Sequence, residues 1–221
     1  MKTPWWQQEY KTRLPVIDTI EQWEALLLDS REAEIDITDQ HIRQLTFENA
    51  DWSGLGFMRI WFDNCRFPGI QMSQCTFHDT RWDNCDVSGG NLRRCRVHDC
   101  RFEKGKGVGL VISDSFFRKT SFYNWNGRYV QWSSCALEHM NWMESVCRES
   151  LFSDCPLKAV QFTHTDLQQA QFFKTYLKGI DLTSCQIDGL SVSDRMTELR
   201  GAIVDLYQAA ELARMLGIEI R

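Results

Sequence analysis

The sequence predicts an all-β solenoid, and three observations predict it. An apolar residue recurs at every fifth position from Ile37 to Val192, filling thirty of the thirty-two such positions. A second column of mostly small residues runs two positions earlier, and the other three positions of each five are polar. Neither a helical nor a strand period organises this stretch, which is how a short repeat announces itself.

The first column reads Ile37, Ile42, Phe47, Trp52, Phe57 and Phe62 at its start and Phe172, Leu177, Leu182, Ile187 and Val192 at its end, broken only at Gly107 and Gly127. The chain's 43% apolar content would fill fewer than half of these positions by chance, so the register is real. The second column includes Cys65, Ile70, Cys75, Thr80, Cys85, Gly90, Cys95, Cys100, Cys135, Cys155, Ala170, Thr175 and Cys185. Positions two apart on an extended chain point the same way, so both columns face inward. One five-residue unit cannot bury two inward groups alone, so units must stack to make a core.

Units such as Ala50-Asp51-Trp52, Cys85-Asp86-Val87, Gly90-Asn91-Leu92, Thr165-Asp166-Leu167 and Ile180-Asp181-Leu182 resemble those of the pentapeptide-repeat proteins. The resemblance implies a right-handed quadrilateral β-helix, four units to a coil and about eight coils. At about 4.8 Å per coil the rod would be roughly 38 Å long. Residues 1–34 read as an N-terminal extension with a capping helix, 35–195 as the β-helix, and 196–221 as a C-terminal capping or dimerisation helix.

Both ends carry helix signals, as an open β-helix needs to cover its backbone edges. Asp18 and Glu21 form a capping-box-like start ahead of Ile20, Trp23, Leu26 and Leu27, and Asp205 with Gln208 repeats the device before a second apolar stripe that Gly217 ends. The segment from Leu199 to Ile218 is similar to the C-terminal helix of the quinolone-resistance (Qnr and MfpA) branch of the family. That similarity implies a homodimer joined end to end through Leu206, Tyr207, Ala210, Ala213, Leu216 and Ile218; capping alone is the simpler reading.

The nine cysteines are odd in number and eight sit at the small inward position, so they read as core residues rather than a disulfide framework. Cys75-Thr76-Phe77-His78 and Cys95-Arg96-Val97-His98 are one coil apart, but the register turns their thiols inward and their imidazoles outward, away from any shared zinc. No catalytic triad, phosphate loop or cofactor motif stands out, so neither an enzyme nor a cofactor is expected. No apolar run reaches a membrane-span length and no signal-peptide stretch opens the chain, so a cytoplasmic protein without membrane contact is expected.

Gly107 and Gly127 fall one coil apart, so they share one face. Two readings of the stretches around them stand side by side: an in-register bulge with Trp125 turned inward, or a protruding recognition loop formed by Gly107, Trp125 and Gly127. The charge of −5 is unevenly spread: the rod is net acidic over 35–89, basic over 90–135 and acidic again over 136–195. Asp63, Asp83 and Glu103 form one outward column with Asp79 and Asp99 at its corner, a candidate partner-binding patch that Arg81 and Arg101 also line.

The resemblance implies a DNA mimic that binds DNA gyrase or topoisomerase IV and protects it from inhibitors. The alternative is a scaffold that binds another protein through Trp61, Phe116, Tyr123, Phe173 and Tyr176. Direct nucleic-acid binding is not expected, because aromatic and basic residues are not interleaved and the net charge is negative. A continuous negative face would favour mimicry, and a banded one the scaffold.

Overall fold

A computed structural model of the chain describes residues 14–215 and 217–220. The five-residue period becomes a coil because a left-handed residue closes almost every unit. Asp39, Gln44, Asn49, Asn64, Asp79, Asn84, Asp99 and Asn124 all have φ between 47° and 58°. Asn and Asp tolerate this region better than most side chains, and Gly54, Gly69, Gly89 and Gly109 fill other corners with φ of 66–80°. Each corner turns the chain, and four corners close one coil of twenty residues.

Coils stack in parallel with a register of twenty residues: Phe62 pairs Trp82, Phe77 pairs Val97, and Ile112 pairs Trp132. Three faces of the square are parallel sheets of eight, seven and seven short strands. The fourth is a ladder of isolated bridges running Thr46, Arg66, Asp86, Lys106, Asn126, Val146, Asp166 and Gln186. The fold is therefore the right-handed quadrilateral β-helix of about eight coils that the repeat predicts.

The inward columns make one continuous core. Rings at the same position of successive coils stack: Phe102 on Phe122 at 4.9 Å, Phe122 on Trp142 at 5.3 Å, Trp142 on Phe162 at 5.0 Å, and Phe152 on Phe172 at 4.9 Å. Those separations match the strand spacing, so the aromatic ladder follows from the backbone ladder.

The small second column has a polar role that smallness alone does not explain. Cys75 Sγ donates to the Trp52 carbonyl at 3.0 Å and Cys95 Sγ to the Met72 carbonyl at 2.9 Å, each reaching 23 residues back. Ser150, Thr165 and Thr175 hydroxyls donate to carbonyls over the same separation. Cys, Ser and Thr thus share one requirement, a small side chain with a hydrogen to give. All nine thiols are buried and free, and burial pushes the Cys100 thiol up to about 12, so it stays protonated at neutral pH.

Helix α1 (Ile20–Ala33) covers the first coil. Its N-cap is Thr19 with Gln22, not Asp18 with Glu21: Gln22 N donates to Thr19 Oγ1, and the Gln22 side chain accepts from the backbone N–H of Thr19. The expected box lies one residue early because Asp18 is drawn off to Arg43, 3.1 Å away. Trp23 packs against the rings of Phe47 and Trp52, at 5.3 and 4.8 Å. Ahead of the helix, Val16–Ile17 pairs with His41–Ile42, so the assigned N-terminal extension supplies a strand to the rod.

Helix α2 (Leu206–Met215) closes the other end, and here the capping box is as read: Asp205 N donates to Gln208 Oε1 and Gln208 N to Asp205 Oδ1. Gln208 Nε2 also donates to the Leu182 and Cys185 carbonyls of the last coil, at 2.7 and 2.9 Å. One glutamine therefore caps a helix and a solenoid together. The stack runs past residue 195, because Asp181 bridges Ile203 and Leu177 N donates to the Glu198 carbonyl.

Candidate functional site

The coil defect is built from the inside. Trp125 occupies the small position two residues before Gly127, and it is 3% exposed. A Cβ on Gly107 would lie 2.5 Å from Trp125 Cζ2, and one on Gly127 would lie 2.1 Å from Trp125 Cζ3. Neither glycine has a positive φ, so the residue type there serves space and not backbone conformation. The usual size order is inverted: the large side chain stands in the small column and fills what two central residues would have filled.

No protruding loop results. Lys106 bridges Asp86 on one side and Asn126 on the other, and Gly107 N donates to the Asn126 carbonyl as its neighbours do in other coils. The recognition-loop reading of Gly107, Trp125 and Gly127 is therefore corrected: the three are core residues of an uninterrupted coil, since an indole this size finds room only over two glycines.

The acidic column exists as read, with Asp63, Asp83 and Glu103 paired across adjacent strands. The charge of Asp83 and Glu103 is met from within the same face. Arg81 Nε donates to Asp83 at 2.7 Å and Arg81 Nη2 to Glu103 at 2.9 Å; Arg101 also pairs with Glu103. Trp61 Nε1 donates to Asp83 at 3.0 Å, and His41 Nε2 lies 3.4 Å from Asp63. Arg81 and Glu103 are each 13% exposed, so this is a recessed ladder rather than a rim of free carboxylates.

At the corner, Asp99 lies beside His98 and Lys119, at 2.9 and 3.8 Å. Asp79 is within the field of Arg59 and helps hold its guanidinium charged. On the next faces Lys106 pairs with Asp86, Arg118 and Lys158 with Glu138, and Arg148 with Asp166. On these faces acids and bases pair with one another across coils.

Of the aromatics assigned to partner contact, Phe173 and Tyr176 are exposed, whereas Trp61 is half-buried and stacked on His41 at 4.0 Å. Phe116 and Tyr123 are half-buried. Among the dimerisation residues, Leu206 and Tyr207 are 82% and 83% exposed, Ile218 is exposed, and Ala210 and Ala213 are half-buried. Leu216 lies outside the described residues. No helix among the described residues is long and apolar enough to cross a membrane.

Residues 75–147 match the pentapeptide repeat region family. No curated protein matches the chain. Among solved structures the chain is similar to QnrB1, a plasmid-mediated fluoroquinolone resistance protein, at 18% identity over 83% of this chain and 99% of that one, with a TM-score of 0.36. It is also similar to HetL, a pentapeptide repeat protein involved in heterocyst differentiation regulation in the cyanobacterium Nostoc sp. strain PCC 7120. There the identity is 11% over 81% and 93% of the two chains, with a TM-score of 0.45. These are likenesses of fold.

Proposed function

We propose that the chain is a pentapeptide-repeat protein acting as a non-catalytic binding rod, and that its principal protein contact is its C-terminal end; the repeat match over residues 75–147 and the β-helix support the first part. One observation carries this reading. Eight of the twelve large apolar side chains exposed among the described residues lie from Phe173 onward, and Leu206 and Tyr207 stand side by side at the start of α2 almost fully in water. Clustered exposed apolar surface marks a contact face, and scattered single residues do not.

The first occupant of that face is a second copy of the chain. Static light scattering tests it: the native protein is expected to run as a dimer at micromolar concentration, and Leu206→Lys with Tyr207→Lys as a monomer that circular dichroism shows to be folded. A native monomer would contradict dimerisation and leave the apolar end for an unlike protein.

Two classes of further partner follow from the family. In one, the rod takes the place of DNA on a type II topoisomerase, which needs a surface as negative as the phosphate backbone. In the other, it is a scaffold for a different protein. Internal pairing of Asp83, Glu103 and Asp99 supports the scaffold, because a carboxylate already held by a guanidinium or ammonium presents little field outward. The likeness of the α2 segment to the quinolone-resistance branch supports the topoisomerase.

A further inference from the structure

The tandem Cys75–Asp79 and Cys95–Asp99 units end alike, in His-Asp, one coil apart. Their thiols face the core, as the register requires. Their histidines, however, face each other. His78 and His98 are register partners on adjacent parallel strands, and their rings stack with centroids 5.3 Å apart and planes 5° from parallel. Asp99 brings a carboxylate oxygen 2.9 Å from His98 Nδ1. One donor atom from each of His78, His98 and Asp99 lies within 4.8 Å of the other two.

We propose that His78, His98 and Asp99 form a surface site for one divalent first-row transition-metal ion of the zinc, cobalt or nickel kind. Two imidazole nitrogens and one carboxylate oxygen are a donor set for these ions, whereas magnesium and calcium take oxygen alone. Ligands about 2.0–2.2 Å from such an ion stand roughly 3.3–3.6 Å apart in a tetrahedron and roughly 2.8–3.1 Å apart along the edge of an octahedron. The His98–Asp99 pair is already near that edge length. His78 is exposed, so turning its side chain closes the remaining distance without moving the backbone. Water completes the coordination from the open side.

Two further features suit the site to a cation. His98 Nδ1 is shielded from water and makes no well-formed hydrogen bond, an unmet need of the kind a ligand relieves. Burial first, together with His78, Lys119 and Arg118, holds the His98 imidazole below its usual range against the pull of Asp99. Lys119, 3.8 Å from Asp99, is the competitor that the ion must displace. The sequence excludes a mixed cysteine–histidine site; it leaves a histidine–carboxylate one open.

Calorimetric titration of the full chain with zinc chloride, paired with the visible spectrum of the cobalt-loaded protein, tests this. Expected are one ion per chain and cobalt d–d bands without a thiolate charge-transfer band. His78→Ala and His98→Ala should each weaken uptake roughly tenfold or more. Asp99→Asn should weaken it too, Lys119→Gln should strengthen it, and His139→Ala, outside the cluster, should leave it unchanged. His78 is exposed, so its variant keeps the fold, as circular dichroism will verify. No uptake by the native chain, uptake by either histidine variant as tight as that of the native chain, or a thiolate band would each overturn the proposal.

Discussion

Trp125→Ala is expected to cost the fold about 3–5 kcal/mol, the usual loss for deleting a buried aromatic side chain. The loss should fall at the high end because nothing can collapse into the space: Gly107 and Gly127 both border it without side chains. Rescue separates this account from a generic core effect. Trp125→Ala with Gly127→Leu restores the ordinary arrangement of a small residue at the second-column position and a large one at the centre. The double variant should recover most of the lost stability, whereas Gly127→Leu alone should itself destabilise by overpacking against the indole. Urea unfolding of the three variants reads this directly. Equal and additive losses would sink the size-inversion account.

Arg81→Ala should destabilise by about 2 kcal/mol, because the guanidinium holds both Asp83 and Glu103 in a recessed position. The pairing is electrostatic, so the difference from the native chain should shrink as salt rises. Arg81 is also stacked over the Trp61 ring at 5.5 Å, and Arg81→Lys should rescue only part of the loss, since an ammonium cannot bridge two carboxylates in the same fork. A variant as stable as the native chain at low salt would show the column is not held together by this residue. If it folds, it leaves Asp63, Asp83 and Glu103 as a more negative stripe, and so tells whether such a stripe alone alters partner choice.

The solenoid was legible because its signal is redundant: a period of five sustained from Ile37 to Val192 survives two glycines and several polar corners. Its coil edges were less so. Val16–Ile17 and Ile203 join the stack through backbone pairing, which leaves no periodic mark in side-chain type. The α1 cap was displaced by one residue because Asp18, a good cap by type, is claimed by Arg43 from a strand 25 residues away. Gly107, Trp125 and Gly127 were visible as an irregularity, but whether the indole turned in or out depended on volume between coils. The acid column was placed on its face by register, and Arg81 and Arg101 were seen beside it. Their pairing needed distances. The contact between His78 and His98 is set by the twenty-residue register, but nothing in their residue types marks the two rings as stacked.

The proposal that paired charges along the sides of this rod favour a scaffold over a stand-in for DNA is tested most directly by DNA gyrase supercoiling with the purified chain. The assay is run with and without a fluoroquinolone at low and high salt. The proposal predicts unchanged supercoiling and unchanged drug sensitivity at micromolar protein under both conditions. Inhibition or drug protection that is strong at low salt and fades at high salt would contradict it, because that dependence is the mark of a surface read as phosphate.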